Sequence, residues 1–292
     1  MSEGLVLRAG SNLHLVLVDG RAVECRARGR LRLGGSRVLT GDRVAVTCPP
    51  DGPGVIEDIL PRRTVLARPP VANVDQAVVV ASFHRPDLSA SFIDRLLVVV
   101  SSVGLSAVVC LNKCDLATPE EVRDAVAFYR RLGVCALATS ARRGDGLDEF
   151  RPLLGDRTSV LAGVSGVGKS TLLNALEPGL ALRTGEVSER AGSGRHTTRH
   201  AELMPVGGGG MVVDTPGFFA LDLPGVEAAE LDGLFPEMQP YLGRCRYAGC
   251  RHRAEPQCAV KDAVAAGAIP ASRYDSYLKL LAEIESVPAW RR

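Results

Sequence analysis

The stretch Gly163-Val164-Ser165-Gly166-Val167-Gly168-Lys169-Ser170 constrains this chain more than any other part of it. It fits GxxxxGK[ST], a glycine-rich loop whose backbone N–H groups point at phosphates, and that chemistry needs a strand before the loop and a helix after it. Both signals are present: SVLAG (159–163) runs in, and the Leu- and Ala-rich segment Lys169–Glu177 runs out. In this pattern Lys169 supplies a mobile charge for the β- and γ-phosphates, and the Ser170 hydroxyl can ligate Mg²⁺.

Two further motifs turn a phosphate loop into a guanine-nucleotide site. Asp214-Thr-Pro-Gly217 matches DxxG, in which the Asp reaches Mg²⁺ through water and the Gly N–H senses the γ-phosphate. Asn112-Lys113-Cys114-Asp115 matches NKxD at the end of the apolar run AVVCLN, and Thr139-Ser140-Ala141 supplies a small loop behind the base. A carboxylate at Asp115 can accept from N1–H and the exocyclic amine of guanine; adenine would leave it unpaired. The nucleotide is therefore GTP, not ATP. In an ordinary small GTPase the phosphate loop comes first, whereas here the guanine motif precedes it. The domain is circularly permuted, and the segment after Asp214–Gly217 leads directly into the C-terminal region.

Around these motifs, strand and helix signals alternate. AVVVAS (77–82), AVVCLN (107–112) and VCALAT (134–139) read as buried strands, with helices predicted near Ser91–Val103 and from the capping box Thr118-Pro119-Glu120-Glu121 to Gly133. Gly207–Gly210 reads as a turn entering one more strand. This alternation predicts an α/β fold with a mainly parallel sheet. At 292 residues the chain has room for more than one domain.

Residues 5–60 have a different texture: short apolar stretches (LHLVLVDG, AVECRARG, GDRVAVTC, GVIEDIL) between Gly and Asp turns, which predict a small all-β barrel or sandwich. Arg26, Arg28, Arg30 and Arg32 would share one face of a strand, either as a solvated face or as a track for a phosphate backbone. PRRTVLARPP (61–70) reads as a linker. Beyond Leu223 the chain is loop-rich, then helical over roughly 272–286. The loop-rich part holds Cys245-x₄-Cys250-x-His252-x₅-Cys258, the Cys₃His donor set of a closed structural Zn²⁺ site, interleaved with Arg244, Arg246, Arg251 and Arg253. The other thiols, Cys25, Cys48, Cys110, Cys114 and Cys135, lie among apolar neighbours and read as reduced core residues. Domain limits of 1–62, 63–222 and 223–292 follow.

Composition excludes little but does so cleanly. A net charge of +2 argues against general electrostatic adhesion to nucleic acid. Four lysines among 35 basic residues make it telling that two, Lys113 and Lys169, fall inside nucleotide motifs. Apolar runs fall well short of the ~20 residues that span a bilayer. The N-terminus lacks a secretory pattern, so a cytoplasmic protein is expected. No heptad seam is present, which favours a monomer.

Taken together, the permuted order, Ala72-Asn-Val-Asp-Gln76, Asp87-Leu-Ser, Ile93-Asp-Arg95, Gly194-Arg-His-Thr-Thr198 and the cysteine cluster resemble the RsgA (YjeQ-type) circularly permuted GTPases, over almost the whole chain. The resemblance implies an N-terminal oligonucleotide-binding barrel, a permuted GTPase and a C-terminal zinc domain. It also implies GTP hydrolysis coupled to late maturation of the small (30S) ribosomal subunit, with contacts to its rRNA and release of assembly factors. Carried over by position, Gly163–Thr171 would hold phosphates; Thr197 or Thr198 would be the switch threonine and share Mg²⁺ with Ser170. Phe218 occupies the place of the water-orienting Gln of Ras-like enzymes, so catalysis must borrow another group. His196 is the candidate, its alternative being a solvated loop histidine. A GTP-gated RNA-binding module with incidental hydrolysis is the competing reading.

Overall fold

The computed structural model describes residues 1–29, 31, 37–49, 52–67, 70–180, 201–214 and 225–286. Five N-terminal strands, β1 (Ser2–Ala9), β2 (His14–Val18), β3 (Arg21–Ala27), β4 (Arg43–Thr47) and β5 (Gly54–Ile59), run in the order β1-β2-β3-β5-β4. Pairing of β1 with β4 closes them into a barrel. Alternation along each strand sends Val6, Val16, Val18, Cys25, Val44, Val46 and Ile56 into its core. β1 lies outside the apolar runs read from the sequence. Its Val6 and Leu7 are both buried, because a register shift between Val6 and Arg8 lets Val6 face the barrel and Leu7 the adjoining α/β core.

The α/β body is built on β8 (Gln76–Ser82), β9 (Ser106–Asn112), β10 (Cys135–Ala138), β11 (Thr158–Ala162), β12 (Glu202–Val206) and β13 (Gly210–Asp214). Their order is β10-β9-β8-β11-β13-β12; every neighbouring pair is parallel except the β12–β13 hairpin. β8 is buried throughout, as a strand covered on both faces must be. Helices α1 (Ala90–Ser102), α2 (Pro119–Arg131), α3 (Leu147–Leu154) and α4 (Lys169–Leu176) cover the sheet. The predicted capping box is formed: Thr118 Oγ1 accepts from the Glu121 amide, and the Thr118 amide donates to Glu121 Oε2. On α2, Tyr129 is buried, and Val122 and Val126 pack with it on the same core.

The barrel and the α/β sheet are continuous, because β1 also pairs with β12 through Arg8 opposite Glu202. The C-terminal part carries short 3₁₀ turns at Leu231–Leu234 and Gln239–Tyr241, then α5 (Ala259–Ala265) and α6 (Ala271–Ser286). Its core of Leu231, Phe235, Met238, Ile269, Tyr277 and Leu281 includes Val98 of α1.

Four readings need correction. β3 ends at Ala27, and the Leu31 amide turns back to the Arg28 carbonyl, so Arg28 does not continue a strand; Arg30 and Arg32 lie outside the described residues. The 61–70 segment is not a bare linker: β6 (Val65–Ala67) and β7 (Pro70–Ala72) pair as a hairpin, and Arg62 is held by buried Asp42. Cys48 and Cys135 are exposed rather than in a core. Helix α5 arises in the stretch read as loop-rich, and strand β12 in one without a predicted element.

Candidate nucleotide site and metal centre

Because β8, β9, β10, β11 and β13 are parallel, their carboxyl ends share one edge, the edge where ligands bind in such sheets. The guanine motif at the end of β9, Thr139-Ser140-Ala141 after β10 and the phosphate loop after β11 are therefore brought together, although up to 59 positions separate Asn112 from Thr171. Gly168 has φ +96°, and a Cβ there would lie 2.5 Å from Asn112 Nδ2, so the tight approach of the two loops needs glycine.

Asn112 is the staple of this edge. Its Nδ2 donates to the Val167 carbonyl at 2.9 Å, and its Oδ1 accepts from Thr139 Oγ1 and the Ala141 amide, each at 3.2 Å. At 1% exposure, this side chain makes bonds that all join one loop to another. Lys113, left-handed at φ +60°, donates from Nζ to the Gly166 carbonyl at 2.7 Å and to the Arg85 carbonyl. Ser140 Oγ donates to Asp115 Oδ1 at 2.6 Å, and this bond is the main cause that holds the carboxyl below its ordinary range. An ionised, oriented carboxylate at a loop tip is what a guanine edge requires.

Lys169 opens α4 and turns its Nζ back onto the loop, donating to the Gly163 carbonyl at 2.7 Å and the Val164 carbonyl at 2.9 Å. Burial lowers its pKa, and a phosphate arriving inside the loop would restore the missing counter-charge. Ser165 and Gly166 are exposed at the loop tip, Val167 is buried beneath it, and Ser170 and Thr171 follow Lys169 in the first turn of α4. The positive end of that helix faces the loop. His196, Thr197, Thr198, Gly217, Phe218 and the side chain of Asp214 lie outside the described residues.

The second site is 3₁₀- and loop-built. Cys245, Cys250, His252 and Cys258 place three Sγ atoms and one imidazole nitrogen within 4.8 Å of one another. His252 Nδ1 stands 3.2 Å from Cys258 Sγ and 3.5 Å from the sulfurs of Cys245 and Cys250, so Nδ1 is the inward nitrogen. Its outward Nε2 meets Asp232 Oδ2 at 3.1 Å, fixing ring and tautomer as an outer carboxylate does in zinc sites. Sequence reasoning missed Asp232, which lies twenty positions upstream in no ligand pattern. The Arg85 carbonyl was missed as well, and no side-chain signal could have marked a backbone acceptor. The donor set and the close grouping fit a tetrahedral zinc ion filled entirely by protein.

Residues 59–224 match the RsgA GTPase family model, and residues 3–56 match the RsgA N-terminal domain. The chain belongs to the RsgA GTPase family. It is 50% identical to the small ribosomal subunit biogenesis GTPase RsgA of Moorella thermoacetica over 97% of both chains. It is 46% identical to the protein of that name from Geobacillus kaustophilus, over 98% of both. The solved structure of YjeQ from Thermotoga maritima is similar with a TM-score of 0.84 at 36% identity, covering 98% of this chain and 99% of that one. That of YloQ, a circularly permuted GTPase, is similar with a TM-score of 0.82 at 36% identity, covering 99% and 96%. RsgA membership accounts for the permuted order: the sheet joins β11 to strands from both before and after it in the chain. Among the described residues, no helix is long and apolar enough to cross a membrane.

Proposed function

We propose that this RsgA-family chain hydrolyses GTP on the small ribosomal subunit, coupling turnover to late subunit maturation and release of assembly factors. The observation that supports the nucleotide part is the Asn112 staple, whose bonds to Val167, Thr139 and Ala141 hold the Asp115–Ser140 pair beside the phosphate loop. Asn112, Lys113, Asp115, Ser140 and Ala141 form the guanine end; Gly163 to Thr171 form the phosphate end. Ser170 and one of Thr197 and Thr198 would hold Mg²⁺, with Asp214 reaching it through water; the ion neutralises charge on the β- and γ-phosphates.

Lys169 Nζ turns from the Gly163 and Val164 carbonyls to the phosphates when nucleotide binds. The Gly217 amide reports the γ-phosphate. Phe218 has no atom that can orient water, and His196 takes that role when the subunit positions its segment. Turnover is therefore slow alone. Cys245, Cys250, His252 and Cys258 hold one structural zinc and order a basic loop for rRNA phosphates. The three functional units are residues 1–62, 63–222 and 223–292, in a monomeric cytoplasmic protein.

The test is hydrolysis by the purified chain, alone and with small subunits, with large subunits and ATP as controls. Stimulation by small subunits with GTP alone is expected, and His196→Ala should abolish it. Small-subunit binding that depends on GTP without faster hydrolysis would instead favour a GTP-gated RNA-binding module. Slow hydrolysis unchanged by any particle, with no binding, would remove the ribosome from this reading.

A further inference from the structure

Thr40 lies in the chain of the barrel, just before β4, yet its hydroxyl ends on the α/β sheet. The side chain is 2% exposed. Its Oγ1 donates to the Ala201 carbonyl at 2.9 Å and accepts from the Ala9 amide, at the end of β1, at 3.1 Å. A hydroxyl has one hydrogen to give, so the bond to Ala201 takes its whole donor capacity.

The backbone around Thr40 is held just as firmly. Its carbonyl accepts from the Ala72 amide at 2.8 Å, and the Gly41 amide donates to the Val6 carbonyl at 2.8 Å. Gly41, at φ +87°, would put a Cβ 2.1 Å from the Ala72 carbonyl oxygen, so the approach of this turn to the β7 end excludes any side chain. Asn73 Nδ2 closes the joint by donating to the Gly41 carbonyl at 2.9 Å. The hydroxyl is thus placed by the barrel and by the β6–β7 hairpin together.

Its acceptor stands at a mechanically sensitive point. Ala201 precedes β12, whose first residue, Glu202, is in register with Arg8 of the barrel on one side and with Asp214 on the other. Thr198 is three residues upstream in the chain. Three extended residues span at most about 11 Å, so Thr198 lies no farther than that from Ala201. Ala201 and Asp214, from which the chain continues toward Thr198 and Gly217 in sequence, thus both border Glu202, which pairs with the barrel.

We propose that Thr40 is a positioning residue, through whose hydroxyl the barrel sets where the chain bearing Thr197 and Thr198 leaves β12. The proposal rests on the reading of those threonines as nucleotide-sensing. Docking of the barrel on an RNA surface then biases the GTP-bound arrangement, and by linkage the nucleotide biases the barrel. One neutral hydrogen bond can shift such an equilibrium about three- to tenfold.

The test uses the full chain as wild type, Thr40→Val and Thr40→Ser, with amide hydrogen exchange in GDP and in a non-hydrolysable GTP analogue. In wild type, exchange over 196–204 and over both barrel stretches, 5–9 and 38–46, should differ between nucleotides. Thr40→Ser should keep the barrel difference; Thr40→Val should lose it while 196–204 still responds. On small subunits Thr40→Val should lower kcat about three- to tenfold with KM for GTP unchanged, and Thr40→Ser should restore it. A wild-type barrel blind to nucleotide while 196–204 responds would overturn the Thr40 coupling alone, whatever the fate of the valine variant. So would a Thr40→Val barrel that still responds. No response over 196–204 in wild type would overturn the nucleotide-sensing reading, and the coupling with it.

Discussion

At Asp115, on the proposed function, the environment of a single carboxyl would set the pH range of base recognition. Ser140 Oγ donates to it and depresses its pKa. A group whose pKa is lowered keeps its charge above that lowered value and loses it only as pH falls through it. Guanine affinity should accordingly survive below the ordinary Asp range near ~3.9. Ser140→Ala removes the bond, raises the pKa, and should move the acid loss of binding to higher pH. Titration of the Asp115 carboxyl-carbon NMR shift in both proteins checks this directly; identical midpoints would mean that Ser140 does not set the charge. Asp115→Asn should weaken fluorescent GDP binding on the order of 10- to 100-fold, because an amide presents one acceptor and a misplaced donor to guanine.

The element whose side chains could hold a metal ion is the loop from Cys245 to Cys258. It has no strand or α-helix of its own, and His252 and Gln257 sit at φ +57°. Left-handed backbone at such residues costs free energy and persists where surrounding bonds over-determine it. Here those bonds are Glu255 accepting from the Arg251 and Arg253 amides, Tyr277 donating to the Arg251 carbonyl, and the four inward donors. Asp232 orients His252 from a neighbouring 3₁₀ turn. Asp232→Asn should lower zinc affinity about 10- to 100-fold with the donor set unchanged. Competition against a chromophoric chelator measures it, and an unaltered affinity would assign Asp232 a purely packing role.

Across the whole molecule, the C-terminal region is bound to the α/β body by a buried charge cluster. Arg273 of α6, at 1% exposure, donates from Nη1 to Asp94 of α1 at 2.7 Å and from Nε to Glu237 at 2.5 Å, with its guanidinium 4.6 Å from the Phe235 ring centroid. Ser276 donates to the other Asp94 oxygen at 2.6 Å, and Arg95 pairs with Glu283 alongside. Arg273→Met leaves two buried carboxylates with no guanidinium between them and should cost about 3–5 kcal/mol. Urea unfolding followed by the intrinsic fluorescence of the C-terminal tyrosines reads this; a loss under ~1 kcal/mol would mean that the cluster behaves as an exposed pair. The consequence of the cluster is mechanical. α1 begins beside the phosphate loop, where Phe92 lines a cavity with Val164 and Val167, and meets the C-terminal core through Asp94 and Val98, so the two regions share one rigid element.

Much of this protein is set by local rules, and those parts are legible in the chain. The phosphate loop needs glycine where loops approach within van der Waals contact, the guanine motif needs an acid, α2 announces its own cap, and the Cys₃His spacing declares its donors. All of these are chemistry within a few residues of each other. What the chain order hides is decided by pairing across distance. β1 is shared between two cores, β12 becomes a strand because β1 and β13 flank it, and Asp232, Asp94 and Thr40 matter through partners 20 to 182 positions away. Side chains of that kind carry no periodic signal, because the atoms that select them are brought near only when the sheet has closed.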